Sequence, residues 1–176
     1  PAFAVDRTEV LLAALRRLTG LFSAEFAVRA FILADPERAL DTLAGWLDDP
    51  NEHVRRLISE GSRPLLPWGQ QLPMFRADPA PVLALLEKLR DDPSPYVRRS
   101  VANNLNDIAK DHPDLVVQTA QAWWREASTE RRSLVRHGLR TLVKRGDGGA
   151  LQVLGFTTKP RVAVDLSLSA SSLAIG

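Results

Sequence analysis

Residues 48–61 read DDPNEHVRRLISEG, and residues 91–104 read DDPSPYVRRSVANN. The second string is the first displaced by 43 positions, with Asp-Asp-Pro and Val-Arg-Arg kept in register. A period of roughly 40–47 residues assembled from helix pairs marks HEAT-type repeats. Such units bury their apolar faces only by stacking on one another. A third, fainter copy runs from Ser128 to Leu142 through RRSLVRHGLRTL. The fold class expected is therefore all-α, a HEAT-like helical-repeat solenoid or α-α superhelix.

Working outward from the repeats, Pro36, Pro79 and Pro113 each stand near the start of an apolar-periodic segment, where a missing N–H is harmless. First helices are predicted over 36–47, 79–89 and 113–126, and second helices over 51–62, 94–110 and 129–144. Asn51, Ser94 and Ser128 suit the N-caps of the second set. Two more helices are predicted upstream, over 7–18 and 23–33. Strand-like alternation occurs only in RVAVDLSLSA, residues 161–170, a short β-like tail without a partner strand.

At 176 residues, 45% apolar and 25% charged, the chain has the length and composition of one globular domain. It has no cysteine, which excludes a disulfide scaffold, a thiolate zinc site and a cysteine nucleophile, and suits a reducing cytosol. His53, His112 and His137 are too scattered for a metal cluster, so neither metal nor cofactor is expected. No apolar run reaches the roughly 18 residues that span a bilayer, and no signal peptide opens the chain. A soluble cytoplasmic protein with no membrane partner is expected.

The net charge of +2 is unevenly spread: residues 1–50 sum to −3 and residues 51–176 to +5. From Arg131 to Arg145 there are six basic residues and no acid. Such a face attracts a polyanion or is simply a solvated helix surface.

On the helix starting near Ser94, Val97, Val101, Leu105 and Ile108 should face the core. A parallel stripe carries Arg99, Asn103 and Asp107. Its counterparts are Arg56 and Glu60 in the preceding repeat, and Arg132, Arg136, Arg140 and Lys144 in the third. Stacked second helices would lay these stripes side by side, putting two carboxylates into a surface otherwise rich in Arg. The structural alternative is that Glu60 pairs with Arg56 or Arg63, and Asp107 with Arg99, as ordinary ion pairs. Asn103 and Asn104 are equally able to bridge repeats. Of the tryptophans, Trp46 is expected in the core, and one of Trp123 and Trp124 should be buried while the other is partly exposed. Trp68 lies in the Pro-rich loop RPLLPWGQQLP just after Glu60. There it serves either as an aromatic wall for a ligand or as a plug over the repeat junction.

The strings DPNEHVRRLISEGSRPLLPW (49–68), DDPSPYVRRSVANNLNDIAKDHPDL (91–115) and LVRHGLRTLVKRGDGGALQVLGF (134–156) resemble the AlkC-type DNA alkylation repair glycosylases of the AlkC/AlkD superfamily. The resemblance implies an enzyme that excises N3-alkylated purines, chiefly 3-methyladenine, from duplex DNA without a base-flipping pocket. It implies Glu60 and Asp107 as catalytic carboxylates, with Arg56 and Trp68 at the sugar, where the stripe reading adds Asn103. It further implies that Arg136, His137, Arg140 and Lys144 grip the DNA backbone, to which the stripes add Arg99 and Arg132. Residues 1–155 would then be an N-terminally trimmed repeat domain, and 156–176 the linker and first strand of a truncated Ig-like domain.

The chemistry suits such residues. N3- or N7-alkylation makes a purine cationic and a good leaving group, so no acid need protonate it. Two carboxylates can stabilise the oxocarbenium-like sugar, and one can orient the attacking water. Duplex DNA carrying alkylated bases is the partner expected, bound by a monomer. The alternatives are a non-catalytic HEAT-repeat module that binds DNA or protein, and a scaffold for acidic proteins.

Overall fold

The computed structural model describes residues 7–156 and residue 167. The β-like alternation and all but residues 156 and 167 of the expected Ig-like segment lie outside them. Among the described residues there are eleven helices and no strand. They are α1 (Thr8–Leu18), α2 (Glu25–Ala34), α3 (Pro36–Ala44), α4 (Glu52–Gly61), α5 (Pro73–Ala77), α6 (Ala80–Leu89), α7 (Pro95–Ile108), α8 (Pro113–Trp124), α9 (Thr129–Gly138), α10 (Arg140–Lys144) and α11 (Gly148–Val153). None is long and apolar enough to cross a membrane.

The helix starts follow local chemistry. Asn51, Ser94 and Ser128 each cap a second helix, their side-chain oxygens accepting from the N–H of His53, Tyr96 and Arg131. Proline opens α3, α5, α7 and α8. The helix predicted over 129–144 is divided at Leu139 into α9 and α10. There the N–H of Thr141 donates to Asn106 Oδ1 of α7 at 3.1 Å, so a tertiary partner sits at the break. The short helices α5 and α11 are additional to those predicted.

Second helices α2, α4, α7 and α9 pack on one another in chain order, with the first helices behind them. Val54, Leu57 and Ile58 of α4, and Val97, Val101, Leu105 and Ile108 of α7, are all buried in one continuous core. Each such side chain contributes about 1.5–3 kcal/mol by leaving water. Glycine permits two close approaches: a Cβ on Gly61 would stand 2.5 Å from Val28 Cγ1, and one on Gly138 would stand 2.9 Å from Leu105 Cδ2.

The repeated Asp-Asp-Pro and Val-Arg-Arg strings form a staple between units. The second aspartate of each turn accepts from the backbone N–H two residues on, Asp49 from Asn51 and Asp92 from Ser94, both at 2.8 Å. Arg55 donates to the carbonyl of Asp49 in its own turn and from Nε to Asp92 Oδ2 of the next turn, each at 2.6 Å. Arg16 holds Asp49 from the preceding helix pair, and Arg131 holds Asp91. The caps Asn51, Ser94 and Ser128 are 43 and then 34 residues apart, so the third unit follows the second more closely than the second follows the first.

Candidate active site

Glu60 lies in the last turn of α4, and Asp107 in the last turn of the neighbouring α7. Arg63, just beyond α4, joins them: its Nη1 donates to Glu60 Oε1 at 2.6 Å and its Nε to Asp107 Oδ2 at 2.8 Å. Two acids 47 positions apart in the chain thus meet at one guanidinium. Both are nearly buried, at 6% and 2% exposure. Burial works to lower the Arg63 pKa, but the hydrogen bond to Asp107 and the charges of Glu60 and Asp107 outweigh it, and the value is raised. Arg63 is therefore a fixed cation.

The remaining oxygens of the two acids are also bound. Ser100 donates to Glu60 Oε2 at 2.7 Å and accepts from Ser59, also at 2.7 Å. Lys110 donates to Asp107 Oδ1 at 3.0 Å. Asn104 bridges the same junction, its Nδ2 reaching the Ser59 carbonyl at 2.8 Å and Ser62 Oγ at 3.1 Å. Three polar side chains, Arg63, Ser100 and Lys110, thus hold the carboxylates in a single orientation.

A third carboxylate was not singled out by the sequence. Glu25, in the first turn of α2, places Oε1 3.4 Å from Arg56 Nη2, and that nitrogen is 3.9 Å from Glu60 Oε1. Glu25 Oε2 is buried without a hydrogen-bond partner. Arg56 also stacks over Tyr96, with Cζ 4.9 Å from the ring centre. Charges therefore alternate through Glu25, Arg56, Glu60, Arg63, Asp107 and Lys110. No repeat motif marks Glu25, because it belongs to a helix ahead of the repeats.

The loop after α4 is fastened by Arg29 of α2. Its guanidinium donates to the carbonyls of Gly61 and Arg63, at 2.9 and 2.8 Å, and to that of Gln70. Burial, helped by the nearby charge of Arg63, pushes the Arg29 pKa down to about 10, so it stays charged at neutral pH. Trp68 stands in this loop with its side chain 99% exposed and its φ at +58°, in the left-handed region. It plugs no junction.

At the third repeat, Asn103 Oδ1 accepts from His137 Nε2 at 2.9 Å and from Arg140 Nη2 at 3.2 Å. Burial lowers the His137 pKa, and the charges of Arg140 and Arg99 lower it further, so the ring is neutral at pH 7. Burial also lowers the Arg140 pKa, with Arg63 acting in the same direction and Asp107 opposing it. Beside them a groove of about 540 Å³ runs between α7 and α9, lined by Arg98, Arg99, Thr129, Ser133 and His137. A second cleft of about 370 Å³ is lined by Arg136, Arg140 and Lys144 over Val143, Leu154 and Phe156.

A family model for the DNA alkylation repair enzyme matches residues 22–142. The chain belongs to that family. It is 45% identical over 169 residues to the uncharacterized protein YhaZ of Bacillus subtilis strain 168, covering 96% of this chain and 47% of that one. It is likewise 45% identical to the alkylpurine DNA glycosylase AlkC of Pseudomonas fluorescens, whose structure is bound to DNA containing an abasic site analog. That match has a TM-score of 0.86 and covers 90% of this chain and 44% of the other. The chain thus spans about half the length of the relatives it matches.

In this member of the family the sequence-predicted residues fall into separate groups. Arg56, Glu60 and Asp107 are joined through Arg63 across α4 and α7, while Asn103 of α7 meets His137 of α9 and Arg140 of α10. Arg132 and Arg136 turn instead toward Trp124 of α8, each with Cζ 5.4 Å from its ring centre. The four-residue stripe expected on the third repeat is therefore split. Asp107 pairs with Arg63 and Lys110 and not with Arg99, because Arg63 comes back from the end of α4 to fill the space between the acids. Trp46 and Trp123 are buried and Trp124 is partly exposed, as predicted. Among the described residues no group of three side chains is arranged to hold a metal.

Proposed function

We propose that this chain is the repeat domain of an alkylpurine DNA glycosylase that hydrolyses the N-glycosidic bond of N3-alkylated purines, 3-methyladenine foremost, in duplex DNA. The observation that carries it is the convergence of Glu60 and Asp107 on Arg63 from adjacent repeats. Positive charge that develops on the sugar of a cationic nucleotide set against this cluster is stabilised by the two carboxylates. One carboxylate faces the sugar while the other orients water, and Glu25 adds a third anion at the rim. Arg56, Arg63 and Lys110 offset the repulsion between these acids and the phosphates.

Trp68 and Asn103 contact the sugar. An indole that is almost wholly in solvent adds nothing to the core, and its left-handed backbone suits glycine better; a ligand contact accounts for both. Arg99, Arg132, Arg136, His137, Arg140 and Lys144 bind phosphates. Arg99 and His137 line the first of the clefts described above, and Arg136, Arg140 and Lys144 the second. Selection then rests on the lability of the alkylated base, without a pocket for a flipped one.

The test is base release from N-methylated duplex DNA. Glu60→Gln and Asp107→Asn should each slow release of 3-methyladenine about 100-fold or more, the usual effect of removing one group that stabilises transition-state charge. DNA binding should be retained or tightened. Release by both variants at the parent rate would overturn the assignment, and a parent chain that holds duplex without releasing base would be a binding module.

A further inference from the structure

Trp124 ends α8 next to the buried Trp123, yet the two have different surroundings. Trp123 is 1% exposed and its indole N–H is used up on Glu87. Trp124 packs only partly against the core and carries Arg132 and Arg136 of α9 over its ring, both at 5.4 Å. Two cations one helical turn apart repel each other, and the indole face offsets this. Neither guanidinium has a carboxylate partner among the described residues, whereas Arg131 beside them is paired with Asp91.

Stacking occupies the face of a guanidinium and leaves its in-plane N–H groups free. Those groups match the oxygens of a phosphodiester. An arginine already held over a ring also has less rotamer freedom to lose on binding. Arg136 further lines the cleft it shares with Arg140 and Lys144 of α10.

We infer that Trp124, Arg132 and Arg136 form a preassembled phosphate subsite for nucleic acid, in which Trp124 is a positioning residue. The inference rests on the proposed DNA-binding function of the chain. It adds an aromatic platform for two cations that would otherwise be loose surface side chains.

The test is binding of an undamaged duplex by the full chain, followed by fluorescence anisotropy across a salt series. Trp124→Leu should raise Kd about five- to ten-fold, from the loss of two cation–π contacts. Its salt slope should match the parent's, because the phosphate contacts are still made. Trp124→Phe should recover most of the affinity and melt with the parent. Arg132→Ala combined with Arg136→Ala should flatten the slope by about 2, and Trp124→Leu should then add nothing. Parent affinity for Trp124→Leu, or an equal further loss in the arginine-free background, would overturn the subsite while leaving the DNA interface standing. An unchanged slope for the double arginine variant would remove both arginines from the interface and the subsite with them.

Discussion

Arg63 donates from Nε to Asp107 Oδ2 across 2.8 Å, although the two residues come from successive repeats. The same guanidinium holds Glu60, so one cation sets both the distance between the two acids and the direction in which they face.

Removal of that cation should be severe. Arg63→Ala leaves two nearly buried carboxylates facing each other and should cost about 3 kcal/mol of stability, as when one member of a buried ion pair is deleted. Arg63→Lys should be intermediate, since a point charge cannot form the fork that reaches both acids. Urea unfolding at pH 7 measures this. Parent-like stability for Arg63→Ala would show that the bridge carries no energetic weight.

Arg29→Met should loosen the Trp68 loop while leaving the helices folded. The variant strands the carbonyls of Gly61, Arg63 and Gln70, at a cost of about 3 kcal/mol. Chymotrypsin should then cut after Trp68 faster than in the parent, with far-ultraviolet circular dichroism unchanged. An unaltered cleavage rate would mean the loop is held by other contacts.

Trp68→Gly should separate stability from activity. Glycine adopts the φ of +58° without strain, and the lost indole packs on nothing. The melting temperature should stay close to the parent's while base release falls at least ten-fold, roughly the value of one aromatic contact to a nucleotide. A drop in melting temperature with release intact would reverse the assignment.

His137 should give the protein an acid-side pH dependence. Its folded-state pKa lies below the ordinary value, so the stability it contributes is complete above about pH 6.5 and is lost as pH falls through the folded value. Binding of a phosphate beside the ring has the opposite sign, because the anion favours the protonated form, and DNA affinity should rise over the same acid range. His137→Gln should flatten both profiles. Profiles parallel to the parent's would place the titration elsewhere.

The helix boundaries and core were legible because the signals are local. An N-cap such as Ser94 acts on a donor two residues away, and Val97, Val101, Leu105 and Ile108 share a face by helix geometry alone. The repeat period likewise implied stacked second helices, and with them the meeting of Glu60 and Asp107. The partners of those acids were less accessible. An ion pair within four residues can be listed from spacing, and the Glu60–Arg63 pair is of that kind, but the reach of Arg63 to Asp107 depends on how two helix ends cross.

Amino-acid order alone was enough to establish the all-helical repeat architecture, the caps, the apolar faces and the pair of acids, since each depends on near-neighbour chemistry or on a period. Three-dimensional packing settled the rest. It set His137 and Arg140 against Asn103 and left Arg132 and Arg136 to Trp124. Packing also brought Glu25 to Arg56 and turned Trp68 into solvent. Contacts between side chains far apart in the chain follow from the relative translation and rotation of packed helices, and a shift of one residue there turns a side chain by about 100°.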